Sequence, residues 1–478
     1  MKQLFPGGVY QQVPNGVYPP HSKPVWAPLL NGGIWDGTDW DSCQVAPFDM
    51  SISNLKVEAS EFMGPSRTNE MRIIVCPPGD KEFYDSGFNA TLDGMVSKRA
   101  ESVGRLTIPK YSMFALESFP IGGVSVAEYW WSCLTEPVAQ PNLAFLPASI
   151  YLSELPGVYY ASVSDGSNWI QKTESEGLSI MPCGFTILGA VIRSTLPPNT
   201  PPNTTAYIAV YPRINYEDYS IGLALTDSNS HAGVFDLNIH VNAGDIFTTK
   251  LILSKPDGGS LPCMGGGISY IIEPDVPGEF PILGGNYETP LQGISYHFPT
   301  RARHYADWEN TFTKRRCGAQ SGYTIEQIYG AVQVPTGIYG GRELNLLLNE
   351  VPSGLETTIT DQVAIGSKDV LLNDWDRLTV MHEPIGTPVD SSLFWGLKVK
   401  ENNGGTNMET TTITMDADKN ITAVMEEDLP VSFILATSII GQGTIDPAPG
   451  LHAYPEGQVV TVTATPAPGW HFKEWLIA

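Results

Sequence analysis

Glycine and proline interrupt this chain so often that few windows of about 12 residues remain in which a helix can form. There are 47 Gly and 39 Pro among 478 residues. What fits between the breaks is strands. Met71-Arg72-Ile73-Ile74-Val75, Tyr207-Ile208-Ala209-Val210-Tyr211 and Leu237-Asn238-Ile239-His240-Val241 alternate or stay apolar, then meet Gly, Pro or Asn. Apolar side chains make up 42% of the chain, and its length corresponds to roughly three or four compact units, each able to bury a core. The expected fold is all-β, built of sandwiches with broad loops.

The balance of 27 Lys+Arg against 51 Asp+Glu gives a net charge of −24. A surface that negative repels phosphate backbones and anionic lipid, so direct nucleic-acid binding is not expected. The cysteines, Cys43, Cys76, Cys133, Cys183, Cys263 and Cys317, form no CxxC pair and indicate neither a disulfide framework nor a zinc site. The opening MKQLFPGGVYQQVPNG lacks the continuous apolar stretch of a secretory signal. No window approaches 18 apolar residues, so no membrane span is expected.

Sliding the chain on itself by about 135 residues gives an ordered self-match. Pro47-Phe48-Asp49-Met50-Ser51-Ile52 aligns with Pro182-Cys183-Gly184-Phe185-Thr186-Ile187. Met71 to Cys76 falls on Ala206 to Tyr211, Val103 to Ile108 on Val234 to Ile239, and Phe119 to Gly123 on Lys255 to Gly259. Two copies of one β-module account for this most simply. Chance similarity between strand-rich segments is the alternative, because alternating Val/Ile/Leu patterns are common.

Ile239-His240-Val241-Asn242-Ala243-Gly244-Asp245-Ile246-Phe247 resembles the V-x-V-x-x-G-D strand pair of tumour-necrosis-factor-like jelly rolls in phage virion proteins. Its Gly supplies a positive φ and its Asp bonds the local backbone. The first copy, Ile108-Pro109-Lys110-Tyr111-Ser112-Met113-Phe114, lacks the Gly-Asp turn. Farther on, Asn310-Thr311-Phe312-Thr313 to Cys317-Gly318 and Val332-Gln333-Val334-Pro335-Thr336-Gly337-Ile338-Tyr339 resemble a short module of surface and phage proteins of Bacteroidota. Near the C-terminus, Gly441 to Gly450, Tyr454 to Pro466 and Gly469-Trp470-His471-Phe472-Lys473-Glu474-Trp475 resemble the bacterial β-repeat of internalin-type surface proteins. In that family, turn glycines reverse short strands and paired aromatics, here Trp470, Phe472 and Trp475, fill a very small core. The strand that usually closes the repeat, Thr412 to Val424, stands before it; either a degenerate earlier copy precedes it or the repeat is circularly permuted.

These pieces define an expected organisation: residues 1–46 an N-terminal attachment arm, 47–165 and 166–285 two tandem jelly-roll modules, 286–385 a connecting region with the short Bacteroidota-type module, and 386–478 the internalin-type β-repeat. Trp26, Trp35 and Trp40 lie in the arm and are the candidate partner-binding residues. Alternatively they fold back on the first module.

Catalytic signatures are missing: the sequence has no Gly-x-Ser-x-Gly elbow, HExxH, Walker loop or dinucleotide fingerprint. No catalytic residue, cofactor or metal is therefore expected. His297 and His304 read as loop histidines rather than ligands. Asp416, Asp418, Asn420, Thr422 and Glu427 have calcium-loop spacing, but Ile421 stands where such a loop needs Gly. Lys314-Arg315-Arg316 with Arg301 and Arg303 reads as a solvated basic loop. Trp130-Trp131 reads as core or inter-module packing.

The resemblances together imply a structural protein of a tailed-phage virion, projecting from the capsid or tail as a head fibre, decoration or tail-fibre protein. Such jelly rolls commonly assemble as homotrimers. The implied partners are other virion proteins, reached through the arm, and a glycan or protein of the host surface. Two other readings stay open: a Bacteroidota cell-surface adhesin, and a glycan-degrading tail spike with a carboxylate pair placed by the fold.

Overall fold

The computed structural model describes residues 1–9, 25–27, 43–60, 68–93, 97–121, 129–152, 156–163, 174, 177–195, 207–225, 231–254, 264–286, 294–297, 308–309, 316–333, 340–387, 392–402, 432–437, 442–448, 450–455 and 460–473. As the sequence requires, these contain strands and no α-helix. The chain divides into one unit of residues 1–401 and a second of 402–478.

Ten strands open the first unit: β1 (Gln3–Val9), β2 (Val25–Ala27), β3 (Gln44–Val45), β4 (Met50–Ala59), β5 (Thr68–Cys76), β6 (Tyr84–Asp93), β7 (Arg99–Glu101), β8 (Arg105–Ile108), β9 (Met113–Ile121) and β10 (Tyr129–Pro137). One sheet runs β1-β10-β4, with β7 and β8 both on β4; the other runs β9-β5-β6, with β2 and β3 on β9.

The next ten repeat the plan: β11 (Ala144–Leu152), β12 (Gly157–Ala161), β13 (Ser179–Ile180), β14 (Phe185–Thr195), β15 (Tyr207–Ile214), β16 (Glu217–Asp218), β17 (Leu223–Leu225), β18 (His231–Val241), β19 (Ile246–Ser254) and β20 (Met264–Pro274). Their sheets are β11-β20-β14-β18, and β19-β15 with β12 and β13 on β19 and β16 and β17 on β15.

A third set follows: β21 (Glu279–Asn286), β22 (Ser295–His297), β23 (Trp308–Glu309), β24 (Cys317–Gly318), β25 (Tyr323–Val332), β26 (Gly340–Leu348), β27 (Val351–Ile359), β28 (Val363–Leu372), β29 (Arg377–Gly386) and β30 (Leu393–Glu401). Its sheets are β21-β30-β25-β28 and β23-β22-β29-β26-β27, with β24 also on β29.

In each set the last strand lies between the first strand and β4, β14 or β25, and the chain changes sheet at six of the nine connections. That is the jelly-roll order of two Greek keys. Three jelly rolls stand in tandem where the sequence reading had two and a connecting region.

The same register recurs in all three. Met50 faces Pro137, Phe185 faces Pro274 and Tyr323 faces Glu401. Each of these central strands then carries a bulge: at Asn54-Leu55 in β4, at Leu188 in β14 and at Glu326 in β25. A bulge sharpens local twist, and here it lets each sheet wrap its own core. The alignment of Met50 with Phe185 keeps the offset of the sequence self-match. Elsewhere the offset drifts, because the turn networks described below pair Cys76 with Asn215 rather than with Tyr211.

The module boundaries also differ from the sequence frame. The self-match begins at β4 and β14, so it cuts each roll in a permuted frame and leaves the opening strands outside. β11 pairs along its length with β20, which puts Ala144–Leu152 in the second roll. Residues 1–46, expected as an arm, supply β1, β2 and β3 to the first roll, and β1 pairs with β10 from Gln3↔Thr135 to Val9↔Tyr129.

Each core is closed partly by the neighbouring roll. Phe145 and Ile271 of the second roll join the first roll's core around Trp131, Phe114 and Ile52. Leu4 and Leu134 of the first join the third roll's core around Trp395, Ile325 and Leu344. Leu283 of the third joins the second roll's core around Phe185, Phe247 and Tyr270.

In the second unit, β31 (Ser432–Thr437) pairs with β33 (Gly450–Pro455), and β32 (Gly443–Asp446) pairs with β34 (Thr463–Pro466). Phe472 and Ile445 are buried there, while Trp470 is half exposed.

Candidate functional site: the seams between the jelly rolls

Each roll lays the outer face of its first sheet on the short strand and corner of another roll. In the second roll, β11, β14 and β20 meet β3 of the first; in the first, β1, β4 and β10 meet β24 of the third; in the third, β21, β25 and β30 meet β13 of the second. The succession second on first, first on third, third on second closes a ring inside one chain. Equivalent residues of the last strands touch the short strand's backbone at all three seams: Ser269 donates to the Val45 carbonyl at 2.6 Å, a Cβ on Gly396 would lie 2.6 Å from the carbonyl of the matching Ile180, and Ser132 faces the carbonyl of Ala319, one residue farther on, at 3.5 Å.

The corner is a four-residue turn before β9, β19 or β29, built from the chain's most regular polar motif. In the second roll Asp245 accepts from the Asn242 backbone N at 2.7 Å and from Asn215 Nδ2 at 2.8 Å, while Asn215 Oδ1 accepts from the Ile246 N–H at 3.0 Å. The third roll repeats every element. Asp376 accepts from the Asn373 N–H at 2.8 Å and from Asn349 Nδ2 at 2.5 Å, and Asn349 accepts from the Arg377 N–H at 3.1 Å. The first roll has Pro109-Lys110-Tyr111-Ser112 at this place and Cys76 where the others have Asn. The turn still forms through Tyr111 N to Ala46 O at 2.8 Å and Ser112 N to Pro109 O at 3.0 Å.

The three seams use three chemistries. Between the second and first rolls, Arg193 is nearly fully buried and its guanidinium donates to the carbonyls of Cys76 at 2.7 Å, Tyr111 at 2.8 Å and Asp80 at 2.9 Å. It satisfies with one delocalised charge the carbonyls of two turns that the seam would otherwise strand. His231 stacks on Tyr111 at 4.3 Å; burial first, and the Arg193 charge second, hold its pKa below the ordinary value.

Between the first and third rolls the seam is charged and aromatic. Lys56 meets Asp374 at 2.6 Å, and Gln320 donates to the Asn54 carbonyl at 2.7 Å. Burial acts to raise the Asp374 pKa, but hydrogen bonds from Lys56 and Ser321 outweigh it and hold the carboxyl below its usual range. Trp130 donates to Glu58 at 2.9 Å while Arg316 and Arg377 lie over its ring at 5.3 and 6.0 Å. Between the third and second rolls the seam is apolar: Leu178, Ile180 and Ile246 against Tyr329, Ala331 and Phe394.

The N-terminus closes the ring. The Met1 ammonium donates to the Pro141 carbonyl, Lys2 N donates to Glu401 Oε2 at 3.1 Å, and Tyr323 Oη donates to the Lys2 carbonyl at 3.1 Å. Gln3 exchanges two side-chain bonds with the Phe145 backbone, at 3.0 and 3.1 Å.

Of the residues singled out from sequence, Trp26 sits in β2, where its backbone pairs with Glu117; Trp35 and Trp40 lie outside the described residues. Arg316, read as part of a solvated loop, is buried in a seam and paired with Glu350. Arg301, Arg303, Lys314, Arg315, His304 and the segment from Asp416 to Glu427 lie outside the described residues. His297, read as a loop histidine, is buried in β22 beside Trp395, ring to ring at 5.1 Å. Its neighbour His382 contacts Arg342 at 3.3 Å; burial, then that cation, push its pKa down to about 3. Trp130 and Trp131 divide the two roles expected of them, Trp131 in the first core and Trp130 in a seam. Sequence reasoning missed Arg193 and the paired Asn residues, although the spacing Asn242-x-x-Asp245 repeated at Asn373-x-x-Asp376 carries the signal.

Among the described residues no group of three or more His, Cys, Asp or Glu is placed to hold a metal, and no helix is long and apolar enough to cross a membrane. Cys43, Cys76, Cys133, Cys183 and Cys317 are buried.

Among solved structures the chain is similar to the major capsid protein P2 from Bacteriophage PM2, at 9% identity and a TM-score of 0.17, over 55% of this chain and 100% of that one. It is also similar to the Ruminococcus gnavus β-glucuronidase, at 9% identity and a TM-score of 0.12, over 52% of this chain and 46% of that one. At these scores neither likeness bears on function. No curated protein gives a significant match. Residues 435–478 match the family model described as the Divergent InlB B-repeat domain, in agreement with the internalin-type repeat read from the turn glycines and aromatics of that segment.

Proposed function

We propose that this chain is a structural component of a phage virion, a ring of three jelly rolls followed in sequence by a bacterial-type β-repeat, serving as a head fibre, capsid decoration or tail-fibre protein. The observation that carries the reading is the closed ring. Jelly rolls are a common architecture of viral capsid and lectin domains, and here three of them bury their outer sheets in one another through dedicated side chains such as Arg193 and Lys56. Such a body holds and presents surfaces; binding by complementarity, multiplied by copies on one particle, is its mode of action. It is not an enzyme in this reading. Its partners are other virion proteins and a glycan or protein of the host surface.

Immunogold labelling with antibodies against residues 1–401, applied to gradient-purified phage particles and to cells of a culture producing the protein, tests this. Label on particles supports a virion role. Label confined to the cell envelope overturns it in favour of the adhesin reading.

A further inference from the structure

The register of the three rolls puts Tyr111, Gly244 and Trp375 at one and the same position of the corner turn. Each has a positive φ, 65°, 91° and 69°. That conformation costs a side-chain-bearing residue energy and Gly almost none, so Tyr111 and Trp375 hold it against strain. Their contacts account for this. Trp375 lies under Lys56 at 5.5 Å and Arg99 at 5.2 Å on the outer face of the first roll. Tyr111 stacks on His231, and its hydroxyl lies 2.7 Å from where a Cβ on Gly233 would stand. Each aromatic therefore covers the edge strand of the roll it packs on.

At the third seam no side chain among the described residues takes this covering place. Arg99, which pairs with Glu58, and His231, which pairs with Arg193, correspond to Val363, which pairs with Ala331. Glu101 and Gly233 correspond to Ile365, whose partner is Tyr329. Val363 and Ile365 are 42% and 54% exposed, while Tyr329 beside them is buried in the apolar seam. A Cβ on Gly244 would meet nothing within 4 Å. Edge strands ordinarily carry charge on an exposed face, as Arg99 and Glu101 do in the first roll; two bare branched aliphatic residues depart from that rule.

The geometry points to an empty aromatic socket at the seam of the second and third rolls, walled by Val363 and Ile365 and floored by Tyr329. It takes a Trp or Tyr side chain from the tip of a turn in a partner protein. The occupant's chemistry follows from the two filled copies in the same molecule. The walls carry no charge, so an uncharged aromatic tip fits where the first roll's socket adds cations. This inference does not rest on the virion reading, and its test is independent of where the protein resides.

The probe is a cyclised peptide of the chain's own third corner, Val370 to Leu378, with Trp375, and a control peptide with Gly at that position. Binding is followed by methyl NMR on the full-length protein. The expected result is saturable shifts of the Val363 and Ile365 methyls with the Trp peptide, at least about tenfold weaker with the Gly peptide. Binding is also expected to fall at least about tenfold in Gly244→Trp, which fills the socket from within, and in Ile365→Glu, which installs the residue type the first roll carries. Absence of saturable shifts in the native protein, equal binding of both peptides, or undiminished binding in whichever of the two variants keeps the native spectrum would overturn it. Methyls of Val363 and Ile365 already shielded from a soluble paramagnetic probe in the free protein would overturn it as well, because another segment of the chain would then fill the socket.

Discussion

Lys56 and Asp374 meet at 2.6 Å although one belongs to the first jelly roll and the other to the third. Their contact, with Gln320 on the Asn54 carbonyl, fastens the two ends of the tandem array to each other. The ion pair is only half sheltered on the Asp374 side, so its strength is modest and falls with salt.

The pH dependence of that seam has a definite sign. The folded-state pKa of Asp374 is depressed, so its contribution is fully present above the ordinary carboxylate value and is lost as pH falls through the folded value. Thermal unfolding followed by circular dichroism is expected to show Asp374→Asn less stable than the native chain near neutral pH, with the gap narrowing as pH falls below the ordinary carboxylate value. A gap of constant size across that range would mean the carboxylate is not engaged.

Arg193 is the member of the ring whose removal should matter most. Arg193→Leu leaves the Cys76, Tyr111 and Asp80 carbonyls without their donor in a buried seam. The expected loss in urea unfolding is about 3 kcal/mol. Arg193→Lys should recover only part of it, because one ammonium does not present the planar fork that reaches all three.

The corner turns make a matched pair of tests. Asp245→Ala and Asp376→Ala each remove the acceptor that ties the turn to Asn215 or Asn349. Each is expected to cost about 1 to 2 kcal/mol in chemical denaturation. The equivalent substitution in the first roll, Ser112→Ala, should cost less than either, because the Ser112 hydroxyl has no hydrogen-bond partner among the described residues.

Because Lys2 N lies 3.1 Å from Glu401 Oε2, the two ends of residues 1–401 are within reach of a short linker. A permuted chain that joins Glu401 to Met1 through a Gly/Ser linker and opens between Ala139 and Gln140 is expected to keep the native circular dichroism spectrum. Loss of cooperative unfolding in that chain would show that the ring depends on the native chain order.

The fold class was legible because period-two alternation and Gly/Pro punctuation act locally, as in Asn69, Met71 and Ile73 facing one core along β5. The offset linking Met50 to Phe185 was legible because those strands share the most demanding position, central in a sheet and covered on both faces. The third roll was hidden for a physical reason. Each seam solves the same packing problem with different residues: Arg193 and Ser269 in one, Lys56 and Trp130 in another, Tyr329 and Phe394 in the last. Equivalent outward positions therefore share no chemistry, and the self-match fades where the rolls touch. The Asn-x-x-Asp corner kept its sequence between the second and third rolls because its bonds, to the turn backbone and to Asn215 or Asn349, stay within one roll. The first roll lost it where Cys76 replaced the Asn and Arg193 took over the exposed carbonyls. The empty socket could not be read from sequence at all, since Gly244 looks like an ordinary turn glycine until its register with Tyr111 and Trp375 is known.

The central claim is that three jelly rolls close a ring within one chain, and the mass of the full-length protein in solution by light scattering tests it most directly. The account predicts the mass of a single chain, 52.0 kDa. A mass of several chains whose dissociation on dilution abolishes the native circular dichroism spectrum would contradict it, because the seams would then be formed between molecules instead of within one.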